Sequence, residues 1–137
     1  MRIRCGYLLL AVFTLPGCVV FAPEPDWQYP NIARAQVQAQ DGVTVSAVVL
    51  DDEDASKAFG VNLGAQQIRA IWLEIQNDTD EILHLLPSSL DPDYFSHNEA
   101  AYRFHSSFKP KQNRRISDHF HSLEIRNHLR AGDTVSG

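Results

Sequence analysis

Across residues 68–76 apolar and other side chains alternate without a break, with Ile71, Leu73 and Ile75 on one side and Ala70, Trp72 and Glu74 on the other. A period of two is the mark of a β-strand whose two faces meet different surroundings. Apolar groups on both sides place this strand inside a layered fold, with Trp72 in the core. A second strand is expected at 43–50, a run rich in β-branched residues directly after the turn signal Asp41-Gly42. Residues 82–86 run back from the polar turn Asn77-Asp78-Thr79-Asp80-Glu81 until Pro87, so 68–76 and 82–86 read as a β-hairpin.

Helical signals interrupt these strands. Asp51-Asp52-Glu53-Asp54 sets acids where a short helix begins, Ala55, Ala58 and Phe59 follow at helical spacing, and Gly60 suits the residue after its end. The run lacks the alternation and downstream Glu of an EF-hand calcium loop, so capping is its reading. Ser96-His97-Asn98-Glu99 fits a capping box opening a helix over about 97–105, which buries Ala101, Phe104 and Phe108. The cluster Lys109, Lys111, Arg114 and Arg115 reads as a solvated connection. Ile116, Phe120, Leu123 and Asn127 then share one face of a further helix closed by Gly132. Thr134-Val135-Ser136-Gly137 opens another strand. These elements predict an α+β domain, an antiparallel β-sandwich of immunoglobulin-like kind with short helical insertions, over 32–137. Three strands are too few for two sheets, so strands encoded beyond Gly137 are expected to complete the cover.

The 137 residues, 44% hydrophobic and 21% charged, suit one globular core and exclude collagen-like, disordered and multispanning classes. The first segment is an address. Met1 to Arg4 carries two arginines, Tyr7 to Leu15 is an apolar run, and Leu15-Pro16-Gly17-Cys18 follows. That is the order of a secretory signal, and the run is far short of the roughly 20 apolar residues of a membrane-spanning helix. Leu15 to Cys18 resembles the lipobox of bacterial lipoproteins, with Leu at −3, Gly at −1 and Cys at +1, while Pro16 departs from the small residue usual at −2. The resemblance implies cleavage between Gly17 and Cys18, lipid on Cys18, and anchoring without a protein helix. Residues 1–17 are then a signal peptide, and 18–31, with prolines at 23, 25 and 30, a lipidated tether. Val19, in place of the Asp that often marks inner-membrane retention, favours the outer membrane, facing the periplasm. Loss of Arg2 and Arg4 leaves 10 basic against 17 acidic groups, a net −7 in place of −5, which argues against nucleic acid or anionic lipid as partner. Cys5 and Cys18 are the only cysteines, so the domain has no internal disulfide.

The block from Phe59-Gly60-Val61-Asn62-Leu63 through residues 68–77 to Leu90-Asp91-Pro92-Asp93-Tyr94-Phe95 is similar to a group of uncharacterised bacterial lipoproteins and to envelope domains of the LssY C-terminal type, over roughly residues 40 to 137. The resemblance implies an envelope domain and brings no catalytic residues with it.

No Gly-x-Ser-x-Gly elbow or phosphate-binding glycine loop is present. The expected function is a non-enzymatic binding or structural module of the envelope, with no cofactor. Its partner is a protein, peptide or envelope component, met through a sheet edge or the loop carrying Asp91, Asp93, Tyr94 and Phe95. The competing expectation is a metal-dependent hydrolase using His105, Asp118, His119 and His121. Zinc needs three or four donors converging at about 2 Å, and His119 and His121 diverge by about 200° on a helix. His121 shares a face with Glu124 or Asn127, and with Asp118, none at a recognised ligand spacing.

Overall fold

A computed structural model of the chain describes residues 21–25, 27 and 32–137. Gly17 and Cys18, and with them the whole signal segment, lie outside the described residues, as does part of the stretch read as a tether.

The domain is α+β and antiparallel. Strands β1 (Gln36–Gln40), β2 (Val43–Val49), β3 (Ile71–Asn77) and β6 (Thr134–Ser136) form one sheet in the order β1-β2-β3-β6, and β4 (Leu83–His84) pairs with β5 (His128–Leu129) in a two-stranded ribbon. The helices are α1 (Asp52–Phe59), α2 (Pro87–Leu90), α3 (His97–Tyr102) and α4 (Pro110–Ser122). The strand expected at 43–50 is present, and so is the one opening after Asp133. Asp41 and Gly42 both have positive φ, 50° and 80°, the signature of the two-residue turn whose twist suits a hairpin. That turn joins β2 to β1, a strand the polar sequence Gln-Val-Gln-Ala-Gln concealed because it is exposed along its whole length.

The hairpin expected between 68–76 and 82–86 does not form. β3 instead lies between β2 and β6, with Trp72 opposite Val48, and Ile75 opposite both Val45 and Val135. The immunoglobulin-like sandwich finds no support in this arrangement, since the second sheet among the described residues is only the β4–β5 ribbon. Opposite faces of the large sheet are covered at opposite ends. Val48 and Trp72 join Leu50, Ala58, Phe104, Ile116 and Phe120 under α1, α3 and α4, while Ile75 and Val135 meet Leu129, Leu83 and Leu85 of the ribbon. Trp72 is buried, as its alternation predicts.

α1 begins and ends as expected. Asp51 caps it by accepting from the Asp54 amide at 2.8 Å, and Gly60 closes it at φ 68°. The described part of the N-terminal stretch crosses here: the Ala22 amide donates to the Gly60 carbonyl and the Glu24 amide to that of Lys57. A Cβ on Gly60 would collide with Ala22 and Pro23, so glycine is required twice over. The Phe21 ring packs against His119 and beneath the Arg115 guanidinium, 5.6 Å away. Part of the segment read as a tether is thus fastened to the folded body.

The second half departs further from expectation. The basic cluster is no connection: Pro110 occupies the first turn of α4, so Lys111, Arg114 and Arg115 are helical. α4 ends at Ser122, Asn127 is off the helix, and Leu129 is drawn into the ribbon because its side chain completes the second apolar cluster. Gly132, at φ 78°, serves the turn between β5 and β6. Phe108 is 93% exposed rather than buried, because α3 has already ended at Tyr102. Pro87, read as a stop, opens α2. Among the described residues no helix is long and apolar enough to cross a membrane.

Candidate functional site

α3 and α4 form an antiparallel pair held by Ala100, Ala101 and Phe104 against Ile116 and Phe120. Such a pair brings the beginning of one helix beside the end of the other. The α3 start is fixed by the capping box expected from sequence. Ser96 Oγ accepts from the Glu99 amide at 3.3 Å, and Glu99 Oε2 accepts from the Ser96 amide at 3.0 Å. His97 follows as the first residue of the helix. His121 lies in the last turn of α4, and Glu124 follows the end residue Leu123.

These three side chains converge. Glu124 Oε2 is 2.9 Å from His97 Nδ1 and 3.3 Å from His121 Nδ1, and one donor atom from each residue lies within 4.8 Å of the other two. The two imidazole rings stand 5.0 Å apart. His97 is the most enclosed, its side chain 19% exposed against 37% for Glu124 and 72% for His121. His97 Nδ1 is shut off from solvent yet makes no hydrogen bond, since the nearby carboxylate lies off the direction along which a ring nitrogen donates. The group is therefore walled on the α3 side and open on the His121 side. Among the described residues it is the one set of three or more histidines and acids so arranged.

The loop of Asp91, Asp93, Tyr94 and Phe95 adjoins this group. Asp91 Oδ1 accepts from the Asp93 amide at 2.8 Å and the Asp91 carbonyl from the Tyr94 amide at 3.2 Å, so Asp91 shapes the turn. Tyr94 and Phe95 are exposed, and the Arg103 guanidinium sits 5.3 Å over the Phe95 ring. Burial raises the Tyr94 phenol pKa, with the charges of Glu124 and Glu99 adding to the rise. Glu124, a member of the histidine group, thus acts on Tyr94 of the loop.

The four residues of the hydrolase expectation do not assemble. His105 Nε2 shares a hydrogen bond with Ser117 Oγ at 3.0 Å. His119 donates from Nε2 to the Ala58 carbonyl at 2.7 Å, on the flank where Phe21 packs, which commits that nitrogen to a structural bond. Asp118 is exposed, and only His121 joins the convergent group. His97 was legible in sequence solely as a helix start. Its partnership with His121 depends on the two helices being antiparallel neighbours, which the short connection between them could have suggested.

A separate small groove, open to solvent, runs between Trp27, Phe59, Ile71 and Leu123 and carries no titratable side chain. Asn77, in the glycosylation sequon Asn77-Asp78-Thr79, is fully buried and so closed to modification in the folded domain. The chain matches no family model, no curated protein and no solved structure.

Proposed function

We propose that this chain is a lipid-anchored protein of the bacterial cell envelope, sited at the outer membrane facing the periplasm, and that its domain is a non-enzymatic binding module. The anchor reading rests on the order of Leu15, Gly17 and Cys18 behind a short apolar run. The observation that carries the binding reading is the exposed loop whose shape is set by its own hydrogen bonds and which presents Tyr94 and Phe95 together. Exposed aromatic side chains on a pre-set loop lose little freedom on contact, which favours recognition of a protein or peptide.

The docked N-terminal stretch adds a geometric consequence. Phe21 is fastened to α4 and follows Cys18 by three residues, which reach at most about 10 Å when extended. A lipid on Cys18 therefore holds the α4 flank close to the bilayer surface.

In cells fed labelled palmitate, Cys18→Ala is expected to take up no label and to leave the membrane fraction. Label retained by that variant overturns the anchor reading. For the module, crosslinking in membranes is expected to give an adduct that Tyr94→Ala/Phe95→Ala loses. An adduct equally strong in the double variant removes the loop from the function.

A further inference from the structure

We propose that His97, His121 and Glu124 form a binding site for one divalent transition-metal ion of the zinc class, with a coordination position left open toward solvent. The inference does not depend on the lipid anchor or on the binding loop. It starts from spacing. Zinc binds imidazole nitrogen at about 2.0–2.1 Å and carboxylate oxygen at about 2.0–2.2 Å, so donors on one ion lie within about 4 Å of each other. Here His97 Nδ1 and His121 Nδ1 stand 2.9 and 3.3 Å from Glu124 Oε2, and the whole set falls within 4.8 Å. Movement of less than about 1 Å, well within rotamer adjustment of the exposed His121, closes the set around an ion.

The donor chemistry narrows the ion. Two imidazoles and one carboxylate are the borderline ligands that suit zinc and its transition-metal neighbours, whereas calcium and magnesium call for sets made of oxygen. A set of two histidines and one carboxylate supplies three of zinc's four positions and leaves the last for water or an incoming group. His121, the most exposed of the three donors, leaves the group open to solvent on its side.

Three surroundings favour a cation there. The group lies at the C-terminal end of α4, a 13-residue helix whose terminal carbonyls give that end a partial negative charge. Glu99 lies two residues after His97 in the first turn of α3, and both it and Glu124 bring negative charge to the neighbourhood. Finally, His97 Nδ1 is buried without a hydrogen bond, a cost that coordination removes. The frame is rigid on one side, because the capping box fixes the backbone at His97 and the apolar contact of α3 with α4 sets its distance from His121.

The test uses the full-length chain in detergent, purified without a histidine tag, incubated with Zn²⁺, dialysed and analysed for metal. About one equivalent of zinc is expected, and Co²⁺ in its place should give the visible absorption of a low-coordinate nitrogen and oxygen site. His97→Gln, His121→Gln and Glu124→Gln should each weaken zinc binding at least about tenfold, the lower bound for loss of a group supporting a metal. His121 is so exposed that its replacement leaves the fold intact, which an unchanged denaturation midpoint in metal-free buffer checks. His84→Gln serves as the control, because His84 and His128 form another ring pair, on the ribbon, with centroids 5.1 Å apart. Zinc below about a tenth of an equivalent in the native chain overturns the site, as does an affinity kept within tenfold by His121→Gln. A loss caused by His84→Gln as large as that caused by the three variants overturns it too.

Discussion

Asn77 gathers the chain around itself. Its side-chain amide donates to the carbonyls of Glu81 at 2.8 Å, Arg130 at 3.0 Å and Leu129 at 3.4 Å, and its carbonyl oxygen accepts from the Thr79 hydroxyl at 2.6 Å and the Thr79 amide at 3.1 Å. Asn77→Ala leaves buried carbonyls without a donor and should cost about 2–4 kcal/mol, measured from urea midpoints. Asn77→Asp should cost at least as much at neutral pH, because it turns an acceptor toward those same carbonyls. In sequence, Asn77 reads only as part of a polar turn, since nothing local says that the partners of its amide lie on a strand end 53 positions away. Ser96 is the opposite case, because its partner is three residues on and the capping box is readable directly. Ser96→Ala should cost about 1 kcal/mol. The capping hydrogen bonds from Ser96 hold the Glu99 carboxyl below the usual carboxylate range. A depressed folded pKa stabilises fully above the unfolded value of about 4.3 and is lost as pH falls through the folded one. The gap in urea midpoint between the native chain and Glu99→Gln should therefore be full at neutral pH and shrink in acid. A gap independent of pH breaks this assignment.

At the scale of elements, α4 decides how the first core closes. Phe120 is buried between Phe59, at 4.9 Å between ring centroids, and Phe104, at 6.1 Å. Phe120→Ala should cost about 3–5 kcal/mol through lost burial and the cavity left behind. Phe108→Ala, at a ring that lies in water just before α4, should cost less than about 0.5 kcal/mol. The helical face of Ile116, Phe120 and Leu123 was legible because period and burial agree. The end of α4 was not, because Leu129 continues the apolar pattern while belonging to a ribbon that packs elsewhere. β1 was missed although Gln-Val-Gln-Ala-Gln does alternate, because its only apolar residues, Val37 and Ala39, are few and lie exposed, so its period marks no buried face. The short α1 was readable at both ends, since caps are local chemistry.

Across the whole molecule, the α+β class follows from the mixture of periods in the sequence, but the pairing of strands does not. β3 alternates cleanly whichever neighbours it takes, and its choice of β6 over 82–86 is fixed by the distant Val135 and Leu129 rather than by the adjoining turn. The candidate site shares this property: His121 and Glu124 are neighbours on the chain, whereas His97 reaches them only through the packing of α3 on α4. Everything between β3 and β6, with α2, α3 and α4 included, leaves the sheet at Asn77 and returns at Asp133, where the Asn77 amide donates to the Asp133 carbonyl and the Gly132 amide to that of Asn77.

That neck has a kinetic consequence. β1, β2 and β3 are consecutive apart from α1 and can assemble from contacts close along the chain, whereas the β3–β6 ladder must wait for a long loop to close. In a refolding experiment followed by pulsed hydrogen exchange, the amides of Leu73 and Gly137, each bonded to the other's carbonyl, should gain protection after those linking β1 to β2. The last strand to join is thus the one that shuts the second apolar cluster, and until it does the free side of β3 is open to another chain.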